Sequence, residues 1–230
     1  MKINADFSKT AYMDISIQDW IASPMPGVER KPLDRVGVEV ARATSIVRYA
    51  PKSTFSPHVH SGGEEFIVLE GVFQDEHGDY PSGSYVRNPP QSMHKPGSEK
   101  GCVIFVKLWQ FQADDRRHVN VIMEKSPITF SNADESVVER VLYEDAYEKV
   151  RYLSLAAGVV WQSDSKQGNE ILMLEGSAFF NQQSLAKESW LRAPIGQVLL
   201  LQAGKNGATV WLKTGNLPDL ENQLERVNNA

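Results

Sequence analysis

The sequence predicts an all-β chain built from two small barrels or jelly rolls related by internal duplication. Three observations carry that expectation: blocks that recur at a fixed offset, short apolar runs broken by turn residues, and a scarcity of helical period. Gly63-Glu64-Glu65-Phe66-Ile67-Val68-Leu69-Glu70-Gly71 returns as Gly168-Asn169-Glu170-Ile171-Leu172-Met173-Leu174-Glu175-Gly176, 105 residues later. Ser84-Tyr85-Val86-Arg87-Asn88-Pro89 meets Ser189-Trp190-Leu191-Arg192-Ala193-Pro194 at the same offset, and Gly101–Lys107 meets Gly207–Lys213 one inserted residue later. Three blocks in one order indicate duplication. Within each repeat, runs of Val, Ile, Leu, Tyr and Phe are punctuated by Gly, Pro, Asn and Ser about every 8 to 12 residues, the pattern of antiparallel barrels and sandwiches.

In chain order, residues 1–35 lie outside the repeat. With Trp20, Pro24, Pro26 and Gly27 they are expected to form an N-terminal arm packed over a barrel, with a short turn near Ile15 to Ala22. Residues 36–112 make the first barrel. Residues 113–136, polar at Ala113 to Asn120 and interrupted by Pro127 and Asn132, read as a linker. Residues 137–215 form the second barrel, with a weak helical candidate over Glu135 to Tyr147, and residues 216–230 are left as a C-terminal tail.

Composition narrows the function classes. With 230 residues, 41% hydrophobic and 23% charged, the chain is long enough for two cores and resembles an ordinary globular protein. The formal net charge is -5, and the basic residues form no run beyond Arg116 and Arg117, so nucleic acid is not an expected partner. No apolar run approaches the roughly 18 residues that a bilayer span needs, and the start, MKINADFSKTAYMD, does not read as an export signal. No membrane association and a cytoplasmic location are expected. Cys102, the single cysteine, leaves no intramolecular disulfide and no multi-cysteine zinc motif; it reads as a small buried hydrophobe.

The chemistry-bearing segment is Pro57-His58-Val59-His60-Ser61-Gly62-Gly63-Glu64. Histidines at i and i+2 of a strand point to one face, and a Gly-Gly turn lets a carboxylate at the start of the next strand meet both imidazoles. Two imidazole nitrogens and a carboxylate oxygen are three sides of a transition-metal site, and His94 on a later strand is the natural fourth ligand. His77 and His118 read as surface residues. Glu64 and Glu65 both follow the turn on alternate faces, and the repeat decides between them. At the 105-residue offset His58, His60 and Glu64 become Ser163, Ser165 and Asn169, and His94 falls at about Leu199, whereas Glu65 is kept as Glu170. Residues lost together worked together. Glu65 and Glu170, with Arg87 and Arg192 as cross-strand partners, then read as structural. The second barrel, without ligands, is expected to be a packing partner or an apolar ligand pocket.

His58, His60, Glu64 and Gly71 in the pattern His-x-His-x(3)-Glu-x(6)-Gly resemble the first cupin motif, and Pro81-Ser82-Gly83 with the later His94 resembles the second. The wider segment from about Val28 to Phe111 resembles the cupin domain of the ChrR-type anti-sigma factors, including their long gap before the last histidine. The resemblance implies a tandem double cupin whose first barrel binds one divalent metal ion, with zinc as the expected metal and Fe(II), Mn(II) or Ni(II) as alternatives. It also implies a regulatory module that answers a small-molecule or oxidative signal, with a sigma factor as partner. The anti-sigma domain of that family needs clustered cysteines and histidine, which this sequence does not carry, so direct sigma-factor inhibition is in doubt. The alternative is a metal-dependent dioxygenase or other cupin enzyme, with Tyr80, Tyr85 and Lys107 free for proton transfer. The bulky Phe66, Phe73, Tyr85, Met93 and Phe105 either plug the barrel or line its cavity. A small-molecule ligand and a homodimer both remain open.

Overall fold

The computed structural model describes residues 1–230. Strands dominate, and the only α-helix is Leu220–Asn228. No helix is long and apolar enough to cross a membrane.

Two antiparallel sheets coil into two barrels with one strand order. In the first, Val28–Gly37, Ala41–Tyr49, Cys102–Leu108, Glu64–Asp75, Ser84–Asn88 and Val119–Ile122 lie side by side. In the second, the sequence is Val137–Glu144, Lys149–Leu155, Leu200–Thr214, Gln167–Phe180, Ser189–Ile195 and Ala11–Asp14. The order matches strand for strand, as duplication predicts. The Leu-Glu-Gly turn recurs for a backbone reason: Gly71 and Gly176 hold φ of 72° and 70°, and a Cβ on either would lie 2.1 or 2.2 Å from the carbonyl oxygen of Gly101 or Gly207. Only glycine tolerates both the left-handed angle and that approach.

The last strand of each sheet departs from the sequence reading. Val119–Ile122 pairs with Ser84–Asn88, and Ala11–Asp14 takes the same place beside Ser189–Ile195, with Ser84 opposite Ile122 and Ser189 opposite Asp14. The second barrel therefore takes its edge strand from the beginning of the chain. By compactness one unit comprises Met1–Ala5, Asp19–Ile122 and Leu220–Ala230, and the other Asp6–Gln18 and Met123–Asp219. Residues 1–35 are thus strand-bearing: Val28–Gly37 is a full strand of the first sheet, paired with Ala41–Tyr49, and Ile21–Ala22 adds to its edge. Of the residues read as linker, Val119–Ile122 is barrel strand. Val137–Glu144 is a strand, not a helix, because its apolar Val137, Val141 and Tyr143 face a β ladder with Lys149–Leu155. The residues left as a tail carry the helix, whose Gln223 accepts a hydrogen bond from buried Arg42 Nε at 2.8 Å within the first unit.

In the second barrel Leu153, Trp161, Ile171, Met173, Phe180, Leu199, Leu201 and Val210 fuse into one buried cluster. In the first barrel Phe66, Phe73, Tyr80, Val86 and Ile104 form a smaller buried cluster. Cys102 is buried there, and burial pushes its thiol up to about 11, so it stays a neutral thiol.

Candidate metal centre

Three histidines meet at the mouth of the first barrel. His58–His60 and Ser92–His94 form a two-stranded ribbon in which His94 lies opposite His58 and Ser92 opposite His60, so the pleat turns all three imidazoles to one face. Their ligand atoms lie within 4.8 Å of one another. The chain then turns, with Gly63 N–H donating to His60 C=O at 3.1 Å, and Glu64 opens the next strand. Trp109 and Phe111 pack flat on this turn: a Cβ on Gly62 would sit 2.1 Å from Trp109, and one on Gly63, at φ 79°, 2.5 Å from Phe111. The Gly-Gly pair is therefore what lets the carboxylate approach.

Glu64 Oε2 stands 3.4 Å from His60 Nε2 and 3.5 Å from His94 Nε2, while those two nitrogens are 2.9 Å apart. Ligands about 2.1 Å from a common ion would be separated by about 3.0 Å at right angles and about 3.4 Å at tetrahedral angles, so these edges fit a first-row divalent ion. Hydrogen bonds on the far sides of the rings free the required nitrogens. His58 Nδ1 faces the carbonyl of Ser56 at 3.1 Å, which can only accept, so Nδ1 carries the proton and Nε2 keeps its lone pair. His94 Nδ1 lies 3.2 Å from Asp75 Oδ2. Asp75 is itself held by the Tyr80 hydroxyl at 3.1 Å and the His77 backbone N–H at 2.8 Å. This is the carboxylate–histidine arrangement that orients metal ligands.

The electrostatics separate the two inner histidines. Burial holds His60 below its ordinary value, against the pull of Glu64. For His94 burial also pushes down, but the Asp75 hydrogen bond and the negative charges of Glu64 and Asp75 outweigh it, and the net direction is up. Asp75 is held below the usual carboxylate range although burial opposes this, because His94, His77 and Tyr80 all donate to it.

Glu65 turns to the opposite face of its strand. Its Oε1 accepts from the Tyr85 hydroxyl at 2.5 Å and lies 3.3 Å from Arg87 Nη1, with Glu65 and Arg87 directly opposite in the ladder. In the second repeat Glu170 stands opposite Arg192 and accepts from the Trp190 indole at 2.8 Å. Tyr85 and Lys107 belong to this outer layer, Lys107 bonding Thr44 Oγ1 at 3.0 Å, and Tyr80 is engaged by Asp75. None of the three is free for proton transfer at the histidines. His77 and His118 are exposed. Of the bulky residues, Phe66 and Phe73 plug one end of the barrel, with Phe73 5.8 Å from the His94 ring. Tyr85 and Phe105 point outward from the sheet, and Met93 is exposed. Beside the cluster of Phe66 and Phe73 lies a cavity of about 450 Å³, lined by His58, His60 and Glu64 and by Val47, Ile104 and Val106.

Asp75 was not foreseen. The reasoning that selected Glu64 would have found it, since at the 105-residue offset Asp75 and Tyr80 become Phe180 and Leu185, lost along with His58, His60 and Glu64.

Residues 8–112 match the family model of the ChrR cupin-like domain. No curated protein matches the sequence at a significant level. Among solved structures, a protein of Nostoc punctiforme described as a candidate dioxygenase superposes with a TM-score of 0.70 at 15% identity, covering 91% of this chain and 84% of its own. The protein Ylba of E. coli gives 0.68 at 13% identity over 92% and 93%, and the E. coli pirin YhhW, solved with nickel(II), gives 0.63 at 11% over 90% and 99%. At such identities the likeness concerns the fold. Residues 8–112 are thus similar to the ChrR cupin-like domain, and the chain as a whole shares the two-barrel fold of these solved structures.

Proposed function

We propose that the first barrel is a metal-dependent enzyme acting on a small organic molecule, with an oxygenase as its reaction class. One divalent ion is held by His58, His60, Glu64 and His94. The observation that carries this reading is the cavity of about 450 Å³, of a size used for small ligands, whose wall includes three of the four proposed metal ligands, His58, His60 and Glu64. Three imidazoles and one carboxylate satisfy four positions of an ion that accepts five or six, which leaves room for a substrate oxygen. A bound Fe(II) or Mn(II) would supply Lewis acidity and electrons for oxygen chemistry, and zinc or nickel the Lewis acidity alone. The nickel(II) of the E. coli pirin supports the competence of this fold for such ions. The chain's own residues prepare the site: Ser56 and Asp75 fix ring tautomers, and Val47, Ile104 and Val106 give the cavity an apolar wall.

A second reading, a ligand-responsive sensor, is supported by the match of residues 8–112 to the ChrR cupin-like domain. The two separate by experiment. Protein purified without added metal is assayed for metal content, then for oxygen uptake with small diketones and hydroxyketones after loading with Fe(II) or Mn(II), with His60→Ala as the blank. About one ion per chain and uptake that His60→Ala abolishes support the enzyme. One ion per chain with stoichiometric ligand binding and no uptake or turnover would transfer the function to sensing.

A further inference from the structure

Two arginines line the same cavity as the histidines, and neither meets a carboxylate. Arg30 and Arg35 both lie on the strand Val28–Gly37. Five residues apart, they would point to opposite faces of a regular strand. A bulge at Leu33 reverses the parity: Arg30 pairs with Val47 and Pro32 with Ser45, then Asp34 with Thr44 and Arg35 with Ala43. Ala43, Ser45 and Val47 line the cavity, and both arginines line it with them. Bulges beside functional sites commonly re-aim a side chain in this way.

The partners of these two residues are weak ones for a cation. Arg30 donates to the Ser23 hydroxyl, while its buried Nε has no hydrogen-bond partner. Arg35 donates to the backbone carbonyls of Val38 and Glu39. Other arginines of this barrel are matched with acids: Arg42 with Asp34, Arg48 with Glu29, and Arg87 with Glu65 and Asp115. Burial, and then the charge of Arg30, hold Arg35 below its ordinary value. Two cationic side chains along one cavity wall without a carboxylate partner favour an anion that joins them.

We infer that the cavity of the first barrel takes a short-chain organic acid, whose carboxylate is held by Arg30 and Arg35 and whose far end carries an oxygen donor directed at His58, His60, Glu64 and His94. The far end rests on the metal reading above; the carboxylate end does not. The fork geometry of guanidinium suits a planar carboxylate. Val47, Ile104 and Val106 offer an apolar wall for a hydrocarbon body between the two ends.

The test is calorimetric titration of metal-loaded protein with malonate, succinate, glutarate and adipate, each beside its neutral diamide, with metal content measured on the same samples. One length of the series is expected to bind best, at least about tenfold tighter than its diamide, the margin that charge-assisted hydrogen bonds supply. Arg30→Gln and Arg35→Gln should each lose about that factor while metal content and the thermal transition hold, and Arg30→Lys should recover part of it. Equal binding of diacid and diamide, or glutamine variants that bind as wild type does, would overturn the proposal. If the wild type proves to hold no metal, the metal reading falls separately, and the diamide comparison and the arginine variants decide the carboxylate site on that same protein.

Discussion

The two barrels share a strand order and the Leu-Glu-Gly turn, and they differ in what fills their interiors. In the first, His58, His60, Glu64 and His94 converge beside a cavity. In the second, Ser163 Oγ donates to Asn169 Oδ1 at 2.5 Å, Asn169 Nδ2 donates to Ser165 C=O at 3.1 Å, and Leu199 is fully buried among apolar neighbours. The short polar chain satisfies itself without an ion, so a metal is not needed to neutralise it. The same contrast holds three residues before each bulge. There the first barrel has Arg30 facing the cavity, and the second has Glu139, 3.4 Å from Arg151 and accepting from the Trp161 indole at 3.2 Å. One barrel keeps its histidines and arginines along a cavity, and the other pairs the counterpart polar groups and packs over them. The outer sheet faces, carrying Glu65 with Arg87 and Glu170 with Arg192, are nearly unchanged. The scaffold was kept and the interior was rewritten.

The strongest way to break this comparison is to remove a ligand. His60→Ala should lose most of the bound metal and unfold at the temperature of chelator-treated wild type, because metal at about a thousand times its dissociation constant adds about 4 kcal/mol to the native state. Ser163→Ala in the second barrel should leave metal content untouched. Glu65→Ala should also retain the metal, although it breaks a buried pair. If Glu65→Ala emptied the site and Glu64→Ala left it full, the face assignment would be reversed.

Leu199→Ala probes the packed interior directly. It should cost about 2–5 kcal/mol in denaturant unfolding, the range for a large-to-small change at a fully buried site, with no change in metal binding. A cost near zero would mean that the second barrel is as loosely filled as the first.

Asp75→Asn keeps the shape but removes the negative charge behind His94. Metal affinity, read by competition with a chromogenic chelator, should fall by about 10–100-fold. An unchanged affinity would show that the hydrogen bond to His94 does not orient a ligand.

The smallest effect concerns protons. The pKa of His94 is raised in the metal-free fold, so this residue stabilises that fold below its ordinary value of 6.5, and the contribution fades as pH rises through the folded value. Metal needs the same nitrogen unprotonated, so stabilisation by metal grows as pH rises. Under chelation, the stability difference between wild type and His94→Gln should therefore shrink as pH increases; with metal present it should widen. Parallel trends in the two conditions would contradict the placement of His94.

The duplication, the β class and the residues of the histidine cluster were all legible in the sequence, because each depends on local order. A repeat is visible as blocks, a His-x-His pair on a strand shares a face wherever the strand goes, and the comparison of Glu64 with Glu65 needs only parity and the second copy. Ser163, Ser165 and Asn169 marked the second barrel as altered for the same reason. The tertiary structure decided what depends on chain segments far apart. Ala11–Asp14 completes the second barrel from the far end of the chain, which no repeat can reveal because the strand is displaced from its own copy. The Leu220–Asn228 helix is short and its partner Arg42 lies far upstream. Arg30 and Arg35 reach the cavity only through the Leu33 bulge, which changes strand parity without a signature residue. Sequence fixes which side chains share a strand face; packing fixes which faces enclose a space, because that depends on pairings whose closure entropy and register are settled by the whole fold.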